Sequence, residues 1–128
     1  YSPMLKSTIQ AKFRKYIEPR GWYSERTHGN QFQSGIPDLY LMHPTHGTRW
    51  VDMKRPKGYR LTKAQQIKWP LWERYGVGIW IVTDPGQAGY QVLFGPPNWR
   101  DYAPGGPSIA QQSEELESLI DELSTKKP

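Results

Sequence analysis

The sequence contains no cysteine. That excludes disulfides, thiolate zinc sites and cysteine nucleophiles. Its longest apolar stretch, Gly78-Ile79-Trp80-Ile81-Val82, falls far short of the ~20 residues a membrane span requires. No signal-peptide pattern opens the chain, no internal repeat is visible, and no His-x-x-x-His spacing suggests zinc. The expectation is a soluble, cytoplasmic protein. Acids are scarce, with 12 against 17 lysines and arginines. The acids are also unevenly spread, because residues 108–128 hold five of them beside two lysines. Residues 1–107 therefore carry 15 basic and 7 acidic side chains, a net +8. A body of that charge attracts polyanions, since neutralising phosphates releases their condensed counterions.

What is present is aromatic and turn-rich: six Trp and eight Tyr, with 12 Gly and 12 Pro, in 128 residues. That length predicts one domain with a buried core. Leu5, Ile9, Phe13 and Tyr16-Ile17 recur at helical spacing, predicting a helix over 4–17 that Pro19 and Gly21 end. Trp22–Arg26 reads as a short strand, followed by a polar loop. Asp38–Met42 and Arg49–Lys54 flank a turn-rich segment and predict a hairpin. Thr62 with Gln65 forms a capping box that opens a helix to about Tyr75, and Pro70 should kink or divide it. Ile79–Val82 reads as a buried strand and Tyr90–Phe94 as another. A Pro/Gly-rich connection over 95–107 then leads to an amphipathic helix over 108–124. This helix offers its apolar stripe to the body or to a second copy. The order predicts an α/β fold, a small mixed sheet flanked by helices, with its core over about 4–94.

Side chains on a strand alternate between faces, so Trp50, Asp52 and Lys54 share one face while Val51 and Met53 share the other. Asp38 and Asp52 converge if the hairpin pairs in the matching register. Two carboxylates with a main-chain carbonyl make a hard oxygen site suited to Mg²⁺ or Mn²⁺. A lysine two residues away can orient or help deprotonate a water there and balance charge on a phosphate. Each piece alone has a plainer reading. An Asp after Pro37 is a turn residue, and an Asp-x-Lys pair is a solvated strand face. Asp52 lies between Val51 and Met53 in a strand that otherwise looks buried, and a lone buried carboxylate is costly.

In order, the string Gly35-Ile36-Pro37-Asp38-Leu39, then Val51-Asp52-Met53-Lys54 with Asp52 14 residues after Asp38, resembles the PD-(D/E)XK nuclease motif. The Lys-rich, Gly-containing loop Arg55–Leu61 running into Thr62-Lys63-Ala64-Gln65 resembles the VRR-NUC branch and small phage endonucleases of the homing type. The resemblance covers residues 4–84 and implies a restriction-endonuclease-like core in a metal-dependent phosphodiesterase of a bacterial or phage-infected cell. By that resemblance Asp38 and Asp52 bind Mg²⁺, or Mn²⁺ in its place. The backbone carbonyl of Met53 completes the site, Lys54 serves the attacking water, and Gln65 sits at the site edge. Gln65 is equally accounted for as the capping-box partner of Thr62. The family often draws a Glu ligand from the first helix. Here Lys6, Ser7 and Gln10 stand at those positions, leaving Gln10 or Glu18 as candidate ligands.

Arg26, His28, Arg55, Lys57, Arg60, Lys63 and Lys68 are the candidate nucleic-acid contacts. His43 and His46 read as solvated turn residues. Trp69, Trp72 and Trp80 read as core, with Trp22, Tyr23 or Tyr59 as candidates for stacking on an unpaired base. The expected function is a DNA endonuclease acting on duplex or branched DNA as a homodimer, either a site-specific cutter or a junction resolvase. The alternatives from other classes are a nucleic-acid-binding module without catalysis and a basic interaction protein.

Overall fold

The structure is a computed structural model, and it describes residues 5–27, 34–57 and 59–103. The expected helix over 108–124 and the candidate His28 lie outside the described residues. The first helix, α1, spans Lys6–Ile17 and buries Ile9, Phe13 and Ile17, one residue per turn. A 3₁₀ turn at Glu18–Arg20 carries Pro19 and stops it. Then come β1 (Tyr23–Arg26), β2 (Leu39–His43), β3 (Gly47–Met53), α2 (Lys63–Arg74), β4 (Ile79–Val82), α3 (Gln87–Val92) and a second 3₁₀ turn at Trp99–Tyr102.

The sheet runs β1-β2-β3-β4 in spatial order. The first two pairings are antiparallel and β3–β4 is parallel, with α2 as the crossover. Alternation divides the side chains between two cores. Leu39, Leu41, Val51, Met53 and Val82 face α1, Trp22 and Leu93. Ile79 and Ile81 face Trp69 of α2, Leu61 and Trp99. The α/β class with a small mixed sheet flanked by helices is therefore the observed architecture. Among the described residues no helix is long and apolar enough to cross a membrane.

Three elements differ from the sequence expectation. Tyr90–Phe94 is not a strand: α3 takes Tyr90–Val92, and Leu93 packs into the core beyond it. Asp84 Oδ2 accepts from the N–H groups of Gly86 at 3.0 Å and Gly89 at 3.3 Å, which turns the chain into the helix. Gly89 lies so close to the end of β4 that a Cβ there would overlap the Asp84 carbonyl oxygen. Second, α2 passes through Pro70 as a single helix. Pro70 is exposed, so the carbonyl its missing N–H leaves free can bond water. Third, the Pro/Gly-rich stretch after 95 is more than a connection. Trp99 enters the second core, and the Asn98 side chain bonds both N–H and C=O of Ile81 at 2.6 and 3.1 Å. That side chain covers part of the outer edge of β4, an edge that would otherwise offer unpaired backbone groups.

Candidate active site

Asp38 immediately precedes β2, and Asp52 is the penultimate residue of β3. The register Leu39↔Val51 sets the two aspartates opposite each other at one end of the hairpin. They clasp the strands together: Asp38 N donates to Asp52 Oδ1 at 3.3 Å, and Met53 N donates to Asp38 Oδ2 at 3.0 Å. Just beyond β3, Lys54 N donates to the Val82 carbonyl at 3.1 Å, extending the parallel ladder. Its side chain returns beneath the carboxylates, where Lys54 Nζ lies 2.9 Å from Asp52 Oδ2.

Gln65 completes the inner ring from the first turn of α2. Its Oε1 accepts from Lys54 Nζ at 2.9 Å and from Thr62 N at 3.0 Å, and its Nε2 donates to Asp52 Oδ1 at 3.3 Å. Gln65 N in turn donates to Thr62 Oγ1 at 3.1 Å. Both readings of Gln65 therefore hold together, since the capping box is what aims its amide at the site. A fifth residue comes from α1: Lys6 Nζ pairs with Asp38 Oδ2 at 2.9 Å. The loop before Pro37 is pinned to α2, where Trp69 Nε1 and Lys68 Nζ donate to the Gly35 and Ser34 carbonyls, both at 2.6 Å. Gly35 has φ +85° and a Cβ there would lie 2.9 Å from the Ala64 carbonyl, so glycine suits the approach to Asp38.

Burial separates the two sides of the cluster. Asp52 is 0% and Lys54 6% exposed at the side chain, whereas Asp38 is 25% and Lys6 43% exposed. Asp52 Oδ2 is buried, and the Lys54 ammonium 2.9 Å away is the charge set against it. Burial, and then the Asp38 charge, push the Asp52 carboxyl up to about 6, against the pull of Lys54 and Lys6. Burial works to lower the Lys6 ammonium, but the Asp52 and Asp38 carboxylates outweigh it and raise its pKa overall.

Two carboxylates converging at one end of a sheet, one of them desolvated, are hard oxygen donors of the kind that fit Mg²⁺ or Mn²⁺. The residues present to hold such an ion are Asp38 and Asp52. The Met53 carbonyl could join them, because an extended residue directs its C=O to the same side as its N–H, here the side of Asp38. Among the described residues no cluster of three or more His, Cys, Asp or Glu side chains exists.

The structure thus brings Asp38, Met53, Asp52, Lys54 and Gln65 together, and it does not bring Glu18. Glu18 follows the far end of α1, 12 residues beyond Lys6 and about 18 Å away at helical rise, exposed on an open cleft beside Arg14 and Trp22. Gln10 lies one turn beyond Lys6, half-buried. The Lys6–Asp38 pair is the part of the cluster that sequence reasoning missed, and its one signal was a lysine where the resemblance places a metal ligand. Of the basic candidates, Arg55, Lys57, Arg60 and Lys63 are exposed on the loop that leaves Lys54 and on the first turn of α2. Arg26 is exposed at the end of β1, and Thr27 N beside it bonds the Asp38 carbonyl at 2.9 Å. Lys68 is engaged with the Ser34 carbonyl.

Two aromatic expectations change. Trp22 is buried in the first core, while Tyr23 and Tyr59 are exposed. His43 is half-buried rather than solvated. Its Nδ1 accepts from Thr45 N and His46 N at 3.0 and 3.2 Å, and its Nε2 bonds the Arg20 carbonyl at 3.1 Å, so it clamps the hairpin turn.

No family model matches the sequence, and no curated protein matches it. A solved structure described as a VRR_NUC domain matches the fold with a TM-score of 0.55 at 18% identity. The match covers 68% of this chain and 88% of that domain. The chain therefore shares the α/β fold of that VRR_NUC domain, with an Asp-Asp-Lys cluster at one end of its sheet.

Proposed function

We propose that this protein is a metal-dependent DNA endonuclease. The observation that carries the reading is the buried Asp52 carboxylate, set against Asp38 with its Oδ2 2.9 Å from Lys54 Nζ. A pair of carboxylates behind a basic surface repels phosphate by itself, and a bound cation there would reverse that. A divalent ion bound by the two aspartates supplies a Lewis acid for the phosphate and a lowered pKa for water. Lys54, fixed by Gln65, holds the water and balances charge developing on the phosphate. Arg55, Lys57, Arg60 and Lys63 grip the flanking backbone. In the hydrolysis the water oxygen bonds to phosphorus and the bond to the leaving sugar oxygen breaks. Cutting both strands needs two such sites, which a homodimer provides.

The test is cleavage of linear duplex, nicked duplex and four-way-junction DNA with Mg²⁺ or Mn²⁺, beside Lys54→Ala and Asp52→Asn. The wild type should cut and EDTA should stop it. Both variants should lose at least about 10²-fold in rate while still binding DNA. Cutting of linear duplex at defined positions identifies a site-specific, homing-type enzyme, and junction preference a structure-specific one. Intact DNA with every substrate and metal would leave a binding module. Wild-type rates in the variants would overturn the site.

A further inference from the structure

Resting on the nuclease reading above, we propose that the site takes a single divalent ion and that Lys6 supplies the positive charge a second ion would bring. The protein's own hydrogen-bond donors are concentrated on one oxygen of each aspartate. Asp38 Oδ2 accepts from Met53 N at 3.0 Å and pairs with Lys6 at 2.9 Å. Asp52 Oδ1 accepts from Asp38 N and from Gln65 Nε2, both at 3.3 Å. That leaves the second oxygen of Asp38, and Asp52 Oδ2 where an ion would share it with the Lys54 ammonium 2.9 Å away. Two oxygens from two carboxylates serve one ion, and no third acid or histidine joins them among the described residues.

Charge balance leads to the same number. Asp38 and Asp52 against Lys6 and Lys54 make a neutral cluster. A phosphodiester under attack by hydroxide carries two negative charges. One divalent ion with both lysines in place neutralises them, and a second would leave an excess of two positive charges beside a buried carboxylate. Uncompensated charge in such a place is strongly disfavoured. The two lysines also divide the work by position. Lys54, 6% exposed, lies inside the cluster, while Lys6, 43% exposed, stands at its mouth where a phosphate arrives.

The test counts Mn²⁺ bound per chain without DNA, by the free-ion electron paramagnetic resonance signal. Binding to an Asp38→Ala/Asp52→Ala double variant is subtracted to remove ions held elsewhere. Wild type should bind one ion at the site, and Lys6→Glu, which adds a carboxylate, should bind two. Lys6→Met should keep a cooperative thermal melt and bind one ion, yet lose about 10²-fold in kcat at saturating Mn²⁺. Two ions in the wild type, one in Lys6→Glu, or an unchanged kcat in Lys6→Met would each overturn the role of Lys6. A wild type that binds no ion at the site would instead overturn the metal-dependent reading on which the proposal rests.

Discussion

Burial and the neighbouring Asp38 charge raise the Asp52 carboxyl to about 6, from an ordinary value of 3.8. Between those two pH values the folded, metal-free protein holds a proton that the unfolded chain has released. Its stability therefore falls as pH rises through that window and levels off above it. Two pKa units correspond to about 3 kcal/mol at ~1.4 kcal/mol per unit. Denaturant melts of metal-free protein from pH 4 to 7, referenced to Asp52→Asn, should show the difference between the two falling by that amount. A difference that stays flat would show that Asp52 does not titrate in this range. Mg²⁺ at pH 7 should raise the melting temperature of the wild type and leave that of Asp52→Asn nearly unchanged, because a ligand of the folded state stabilises only where its site is intact. Gln65 is held by its capping box and touches both Lys54 and Asp52. Gln65→Ala leaves Lys54 without its amide acceptor and should cost about 1–3 kcal/mol, read by denaturant melts. The same variant should slow cleavage at least tenfold with DNA affinity unchanged, since it loosens the aim of Lys54.

Among the elements, α1 is the member that closes the first core, through Ile9, Phe13 and Ile17. Phe13→Ala should lower stability by about 3–5 kcal/mol in chemical denaturation, the usual cost of emptying a fully buried aromatic site. The stripe that carries this packing was legible because helical spacing is local. So were the hairpin, from its alternation, and the Thr62–Gln65 box, from a three-residue separation. These local signals put Asp52 and Lys54 on one face, but the meeting with Asp38 waited on the hairpin register, which the structure supplies as Leu39↔Val51. What stayed hidden depends on distant contacts. Five mostly apolar residues at 90–94 suited a strand, but Asp84 and the close approach at Gly89 turn them into helix α3 and its end. The Asn98 cover on the β4 edge joins residues 17 apart, and the Lys6–Asp38 pair joins a helix to a strand 32 residues on. No periodicity in the chain encodes such contacts.

For the whole molecule, the net +8 of residues 1–107 becomes a matter of placement. Arg55, Lys57, Arg60 and Lys63 form an exposed run that leads away from the carboxylate cluster along one loop and one helical turn. Lys68, five residues farther along α2, is already holding the Ser34 carbonyl at 2.6 Å. Sequence alone gives these five side chains equal standing, and the structure separates them. Each lysine or arginine that neutralises a phosphate of duplex DNA steepens the plot of log binding constant against log salt by about 0.9. Replacing Arg55, Lys57 and Arg60 together by alanine should therefore flatten that slope by about 3, measured by fluorescence anisotropy of labelled duplex between 50 and 200 mM salt, about the range over which such terms dominate. Lys68→Ala should leave the slope unchanged and instead lower the melting temperature, because it frees the loop that carries Gly35 toward Asp38. A triple variant with the wild-type slope would mean that DNA approaches from another face, and the basic run would then be an ordinary solvated surface.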